Sequence, residues 1–166
     1  MAAPAASATL STVEVTLENL DALGDFESLC LFIAEDERPL RGAAGYVDWR
    51  MCGALSRVLR ENFFGGTVDD ALLLPTGGRL PSKRIFVMGL GPSRKLSAEA
   101  LGMALRRAAD TLKRAKAESV AVELPGDGQL DEDVRAGALK AEFLQRVGTP
   151  KVAVLGAKSL GRLLTG

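Results

Sequence analysis

The sequence has no histidine among its 166 residues. Imidazole is the side chain that ordinarily changes charge near neutral pH. Its absence removes Ser-His-Asp and Cys-His catalysis and every zinc site that needs a ring nitrogen. Aromatic residues are scarce at 5%, which leaves little to stack nucleic-acid bases. Neither charge sign dominates, since 21 Lys and Arg balance 21 Asp and Glu. Such a chain is not built as a whole to hold polyanions or anionic lipid, so nucleic acid is disfavoured as a partner. No apolar run approaches the ~18 residues that suggest a membrane span. Met1 to Ser11 lacks basic residues and a long apolar stretch, so it reads as a disordered tail and not as a signal peptide. The two cysteines, Cys30 and Cys52, sit among apolar residues in no metal or redox spacing. Two buried thiols in a reducing cytoplasm are expected, ahead of a disulfide or a reactive thiol.

What is present is ordinary for a globular domain: 47% hydrophobic and 25% charged residues. One domain is expected over residues 12–156, followed by a C-terminal end over 157–166. From Thr12 the alternation of Val13, Val15 and Leu17 with Glu14, Thr16 and Glu18 predicts a half-exposed strand. Leu29 to Ala34 is continuously apolar and predicts a strand buried on both faces. A single helix is predicted from about Val47 to Phe64, with Trp49, Cys52, Leu55, Leu59 and Phe63 on its inner face and Asp48 at its start. Further strands are predicted at 71–74, 85–88, 120–124 and 152–155. A second helix follows Ser97 to about Ala117 with Leu101, Leu105, Ala108, Leu112 and Ala115 as its buried stripe. A third spans Asp131 to Val147 with Val134, Ala138, Ala141 and Phe143 or Leu144 facing in. Leu160 to Leu164 begins a last one. Short apolar strands alternating with amphipathic helices predict an α/β fold: three αβα layers around a mixed, mostly parallel sheet.

Gly89-Leu90-Gly91, between a strand and a helix, is the strongest local ligand signal, with Ser93 close behind. Glycines there let backbone amides meet a phosphate. The dinucleotide fingerprint wants a further glycine at position 94, where Arg94 stands, and Glu123 is the one acid placed to meet a ribose. A tight turn explains the two glycines without a ligand, so no cofactor is expected. Charge is unevenly placed. Eight acids and no base lie between Thr12 and Glu37, among them Glu14 and Glu18. Seven bases and two acids lie between Arg94 and Lys116, including Arg106, Arg107, Lys113 and Arg114. Opposite faces of two molecules could meet through these segments. The carboxylate pairs Asp69-Asp70 and Asp131/Asp133 sit at a turn and a helix start, where acids are favoured by the dipole alone, and no metal site is expected.

Several segments in combination resemble the N-terminal domain of the leucyl aminopeptidase, or cytosol aminopeptidase, family. They are Leu29-Cys30-Leu31-Phe32-Ile33, Gly45-Tyr46-Val47-Asp48, Gly53-Ala54-Leu55 and Phe64-Gly65-Gly66. Arg84 through Gly91, Ser97 through Leu101, Arg106-Arg107-Ala108-Ala109 and Gly137-Ala138-Leu139 to Phe143 complete the set. The resemblance implies a macro-domain-like fold. It also implies that the family's metal ions and catalytic Lys and Arg belong to a separate C-terminal domain. That domain's signature, similar to Asn-Thr-Asp-Ala-Glu-Gly-Arg, has no counterpart here. Fold carries over and chemistry does not, so no catalytic residue is assigned. The leading expectation is a non-catalytic interaction or assembly module that binds itself or another protein. The alternatives are a nucleotide or ADP-ribose pocket near Gly89 to Ser93, or an N-terminal fragment of a metal-dependent aminopeptidase.

Overall fold

A computed structural model describes residues 9–165. The chain runs β1 (Thr9–Val13), α1 (Leu17–Asp21), β2 (Ser28–Ile33), α2 (Gly42–Arg50), α3 (Ala54–Arg60), β3 (Ala71–Pro75) and β4 (Arg84–Gly89). It continues through α4 (Ala98–Arg114), β5 (Ser119–Glu123), α5 (Glu132–Ala138), a π-helical segment (Leu139–Leu144), β6 (Lys151–Leu155) and α6 (Ser159–Thr165). These six strands form one sheet in the order β1-β6-β5-β2-β4-β3. Of the six, β3 alone runs antiparallel to its neighbour.

Burial on both faces follows from strand alternation. Leu29, Leu31 and Ile33 of β2 join Val47, Leu55 and Leu59 of α2 and α3 in one core. Cys30 and Phe32 point the other way, into a core with Leu101, Leu105 and Leu112 of α4 and Phe143 of the π segment. The fold is therefore α/β, with three αβα layers and a mixed, mostly parallel sheet.

Several expectations need correcting. The tail expected over residues 1–11 is already strand from Thr9, where the Thr9 N–H donates to the Pro150 carbonyl; residues 1–8 lie outside the described residues. The alternation through Glu18 does not stay extended. Thr16 Oγ accepts the Asn19 N–H at 3.1 Å and turns the chain into α1. The single helix over 47–64 is two helices. Cys52 (φ 54°) and Gly53 (φ 81°) take left-handed backbone between them, which no continuous helix permits. Asp48 consequently does not start a helix. It sits in the last turn of α2 and caps α3, accepting the Leu55 N–H at 2.9 Å and the Ser56 N–H at 3.1 Å. The break rotates Trp49, Cys52 and Phe63 to the surface, so only one of the two thiols, Cys30, is buried. In the third helix Phe143 faces in as expected, but before it the buried residues are Arg135, Ala136 and Leu139, while Ala138 is half-buried and Val134 and Ala141 are exposed.

Candidate functional site

The chain leaves two neighbouring strands toward opposite faces of the sheet. After β2 the chain crosses to the α2 layer, and after the adjacent parallel β5 it crosses to the α5 layer. In a parallel sheet such a switch point opens a crevice beyond the carboxyl ends of the strands. A cleft of about 830 Å³ lies there, bounded by the loops after β1, β2, β5 and β6. That is within the size range of small-molecule sites.

Glu123, the last residue of β5, lies in this cleft. Its Oε2 accepts the N–H of Ala43 at 2.9 Å. That amide is in the first turn of α2, whose N-cap Arg41 supplies no side-chain bond, so a carboxylate from another strand caps the helix. Gly42 (φ 56°) makes room, since a Cβ there would stand 3.2 Å from Glu123 Oε2. Burial pushes the Glu123 carboxyl up to about 7, with the Glu37 carboxylate adding to the rise and the Ala43 amide and Arg135 opposing it. Burial likewise raises Glu37.

Arg135 is the side chain that sequence reasoning missed. It is 2% exposed, in a helix stretch that composition alone marks as a solvated face. Its Nε donates to the Pro125 carbonyl at 3.0 Å and Nη2 to the Leu124 carbonyl at 2.7 Å, with Asp127 near Nη1. It thereby holds the β5–α5 loop that forms one wall of the cleft.

The Gly89-Leu90-Gly91 turn borders the cleft but presents it no free amide. Gly89 N–H donates to Asp70 O, Leu90 N–H to Ile33 O and Gly91 N–H to Gly66 O. Gly89 is glycine because a Cβ would collide with the Thr67 carbonyl, and Gly91 because its φ is 79°. A 3₁₀ turn (Ser93–Lys95) separates the turn from α4, which Ser97 caps by accepting the Ala100 N–H at 3.1 Å. Strand, glycine turn and helix thus do not meet as a phosphate loop requires. The Ser93 N–H donates to Asp36 Oδ1 at 2.8 Å and its hydroxyl to Asp36 Oδ2. These bonds hold the Asp36 carboxyl below its usual range.

The charged candidates lie apart. Glu14 lines the cleft, and Glu18 is exposed on α1. On α4, Arg106 forms a 2.8 Å pair with Glu142, and Arg107 donates to the Gly89 carbonyl. Arg114 bonds back to the Asp110 carbonyl at 3.4 Å, and Lys113 is exposed. Among the described residues no group of three or more Asp, Glu or Cys side chains is placed to hold a metal, and no helix is long and apolar enough to cross a membrane.

The sequence profile of the cytosol aminopeptidase family, N-terminal domain, matches residues 29–145. The chain belongs to that family. A probable cytosol aminopeptidase of Geobacter sp. (strain M21) is 32% identical over 99 residues, covering 58% of this chain and 20% of the relative. One from Synechocystis sp. is 27% identical over 99 residues, covering 60% and 20%. The chain therefore spans about a fifth of the length of these curated relatives. Among solved structures, a mutant tomato leucine aminopeptidase superposes with a TM-score of 0.67 at 18% identity, over 99% of this chain and 36% of that one. An Oceanobacillus iheyensis macrodomain mutant gives 0.70 at 16% identity, over 99% and 93%. The same macrodomain with ADP gives 0.65 at 15%, over 84% and 81%. At these identities the likeness is one of fold: a macrodomain-like fold in a cytosol aminopeptidase N-terminal domain.

Proposed function

We propose that this member of the cytosol aminopeptidase family is a non-catalytic docking domain of the cytoplasm. It sits against another protein surface, either a second copy of the chain or the catalytic part of a cytosol aminopeptidase. The observation that carries this reading is Trp49, 66% exposed, with Tyr46 one turn earlier on the same side of α2. Phe63, just beyond α3, is 75% exposed. Large aromatics left in water on a domain with few of them favour a contact surface, and Trp and Tyr are the residues most often found at the energetic centre of one. Arg50 stands 5.1 Å over the Trp49 ring, and a shallow depression lined by Gly45, Cys52 and Gly53 lies beside it. The basic face of α4 contributes less, because Arg106 and Arg107 are already bonded within the molecule.

The test is sedimentation of the pure chain from micromolar to near-millimolar concentration, with and without a separately prepared aminopeptidase catalytic domain. Mass should rise with concentration or on mixing. It should do so at both about 0.05 and 0.5 M salt, since the contact is apolar. A chain that stays monomeric throughout and ignores the catalytic domain refutes the reading. The chain alone should release no leucine from a chromogenic amide with manganese or zinc added.

A second reading is small-ligand binding. It is favoured by the position of the cleft at the switch point and by the macrodomain fold that binds ADP in the Oceanobacillus protein. Against a nucleotide stands the internal use of the amides of the Gly89–Gly91 turn.

A further inference from the structure

We propose that Asp36 and Glu123 act as built-in anions that fill the two phosphate-receiving positions of the cleft, and so determine its specificity by excluding phosphorylated ligands. A phosphate oxygen and a carboxylate oxygen ask for the same partners: amides at a helix N-terminus, turn amides, and a serine hydroxyl. The cleft offers two such sets of donors. One is the N–H and hydroxyl of Ser93, and both go to Asp36. The other is the Ala43 N–H at the start of α2, and it goes to Glu123. The two carboxylates come from separate places, the loop after β2 and the end of β5, yet both line the same cleft.

Two of the three guanidiniums of the cleft are committed as well. Arg38 donates to the Glu37 carbonyl at 2.8 Å, and the Arg41 backbone N–H donates to the Glu37 carboxylate at 3.3 Å, with the Arg41 guanidinium near that carboxylate but not bonded to it. Arg135 is spent on the Pro125 and Leu124 carbonyls with Asp127 alongside. An incoming diphosphate would therefore have to displace two internal carboxylates, and of the three arginines lining the cleft, Arg38 and Arg135 would already be bonded to carbonyls. A ligand that brings N–H donors or positive charge meets no such barrier.

One guard weakens with acid. The groups facing Glu123 are Cys30 beneath it, Glu37, Arg135 and the Ala43 amide, with Asp36, Arg38, Arg41, Asp127 and Glu14 on the surrounding walls. Glu123 is neutral below about pH 7, whereas Ser93 keeps Asp36 ionised further down.

The experiment is a calorimetric titration of the wild-type chain and the Asp36→Ala/Glu123→Gln variant with ADP-ribose and with inorganic pyrophosphate, after a thermal melt shows that the variant folds. The wild type should bind neither, and the variant should bind both at least roughly tenfold more tightly, as expected for removing two close like charges. A folded variant that gains nothing, or a wild type already binding at micromolar levels, overturns the proposal. If the variant does not fold, sulfate decides with the wild type alone. Sulfate keeps its charge across the range, the chain has no histidine, and the buried Glu123 carboxyl, pushed up to about 7, loses its proton within it. Sulfate should bind roughly fourfold or more tightly at about pH 5.5 than at about pH 8.5. Equal or undetectable affinity at both pH values overturns the idea.

Discussion

The two helical layers of this domain are built to different standards of completion. The layer carrying α4 rests on one 17-residue helix whose inner face is entirely aliphatic. Its outer face is tied down by the Arg106–Glu142 pair and by Arg146 near Asp110. The opposite layer is made of three pieces of 5, 9 and 7 residues, broken at Cys52-Gly53. Its helices are joined at the surface by the pair of Arg50 with Asp21, and they leave Trp49, Tyr46 and Phe63 in water. The long amphipathic helix buries its aliphatic stripe and leaves Met103 as its one large apolar side chain in water. A helix broken at a left-handed residue redirects half its side chains outward. One layer therefore secures the fold, and the other is free to present a surface.

The sharpest way to break that contrast is to damage the complete layer. Leu105 is fully buried at the centre of α4. Leu105→Ala should cost about 3 kcal/mol, through lost transfer energy plus an unfilled cavity. Urea unfolding would measure it, and a loss below about 1 kcal/mol would show that α4 is not the keystone of its layer.

Between the layers, the cleft makes the folding free energy depend on pH in an unusual direction. The Glu123 carboxyl titrates at about 7 when folded and near 4.5 when unfolded, so the native state holds more protons between those values. Stability should therefore fall as pH rises from about 5 to about 8, on the order of 2 kcal/mol, and Glu123→Gln should flatten the slope. The carboxylates held low, Asp36, Asp70 and Glu142, act the other way, but only below about pH 4.5, where their unfolded forms take up protons. Stability that rises over pH 5–8 would show that Glu123 is not held in a desolvated place.

The difference between the layers also marks how far the sequence could be read. The α4 stripe and five of the six strands were legible, because regular burial leaves a period of 3.6 or an unbroken apolar run. The break at Cys52 was not. Trp49, Leu55, Leu59 and Phe63 keep helical spacing across it, and the left-handed turn is recorded only in one glycine, which a helix interior tolerates at a cost of about 1 kcal/mol. Strand alternation at Val13, Val15 and Leu17 misled for a similar reason, since the Thr16 cap that ends the strand looks like its polar face. In the cleft, Glu123 was visible as an acid closing a strand. Its bond to Ala43, 80 positions away, is a product of topology that no local pattern contains. Arg135 was invisible because a buried arginine reads as a surface one.

The break itself can be tested at Gly53, where the backbone is left-handed and nothing lies within 4 Å of the place a methyl group would occupy. Gly53→Ala should therefore cost only backbone strain, about 1 kcal/mol, with no steric term. A neutral result by thermal melt would show that α2 and α3 can join into one helix, which would also carry Trp49 and Phe63 inward and erase the contrast between the layers.

The smallest expected effect on stability is the one that separates surface from scaffold. Trp49→Ser removes a side chain that is two-thirds exposed and whose chief partner is the Arg50 guanidinium above its ring. Solvent already reaches most of the indole, so little burial is lost on folding, and the unfolding free energy should change by no more than about 0.5 kcal/mol. Association is the opposite case. If the indole sits at the centre of a contact, its truncation should weaken binding by about 2 kcal/mol or more, a shift of over tenfold in the concentration at which complexes form. Measuring both quantities on the same preparation distinguishes the roles. A residue that only props up α2 would lower stability and leave association in step with the folded fraction. A contact residue leaves the melt where it was and moves the sedimentation isotherm alone.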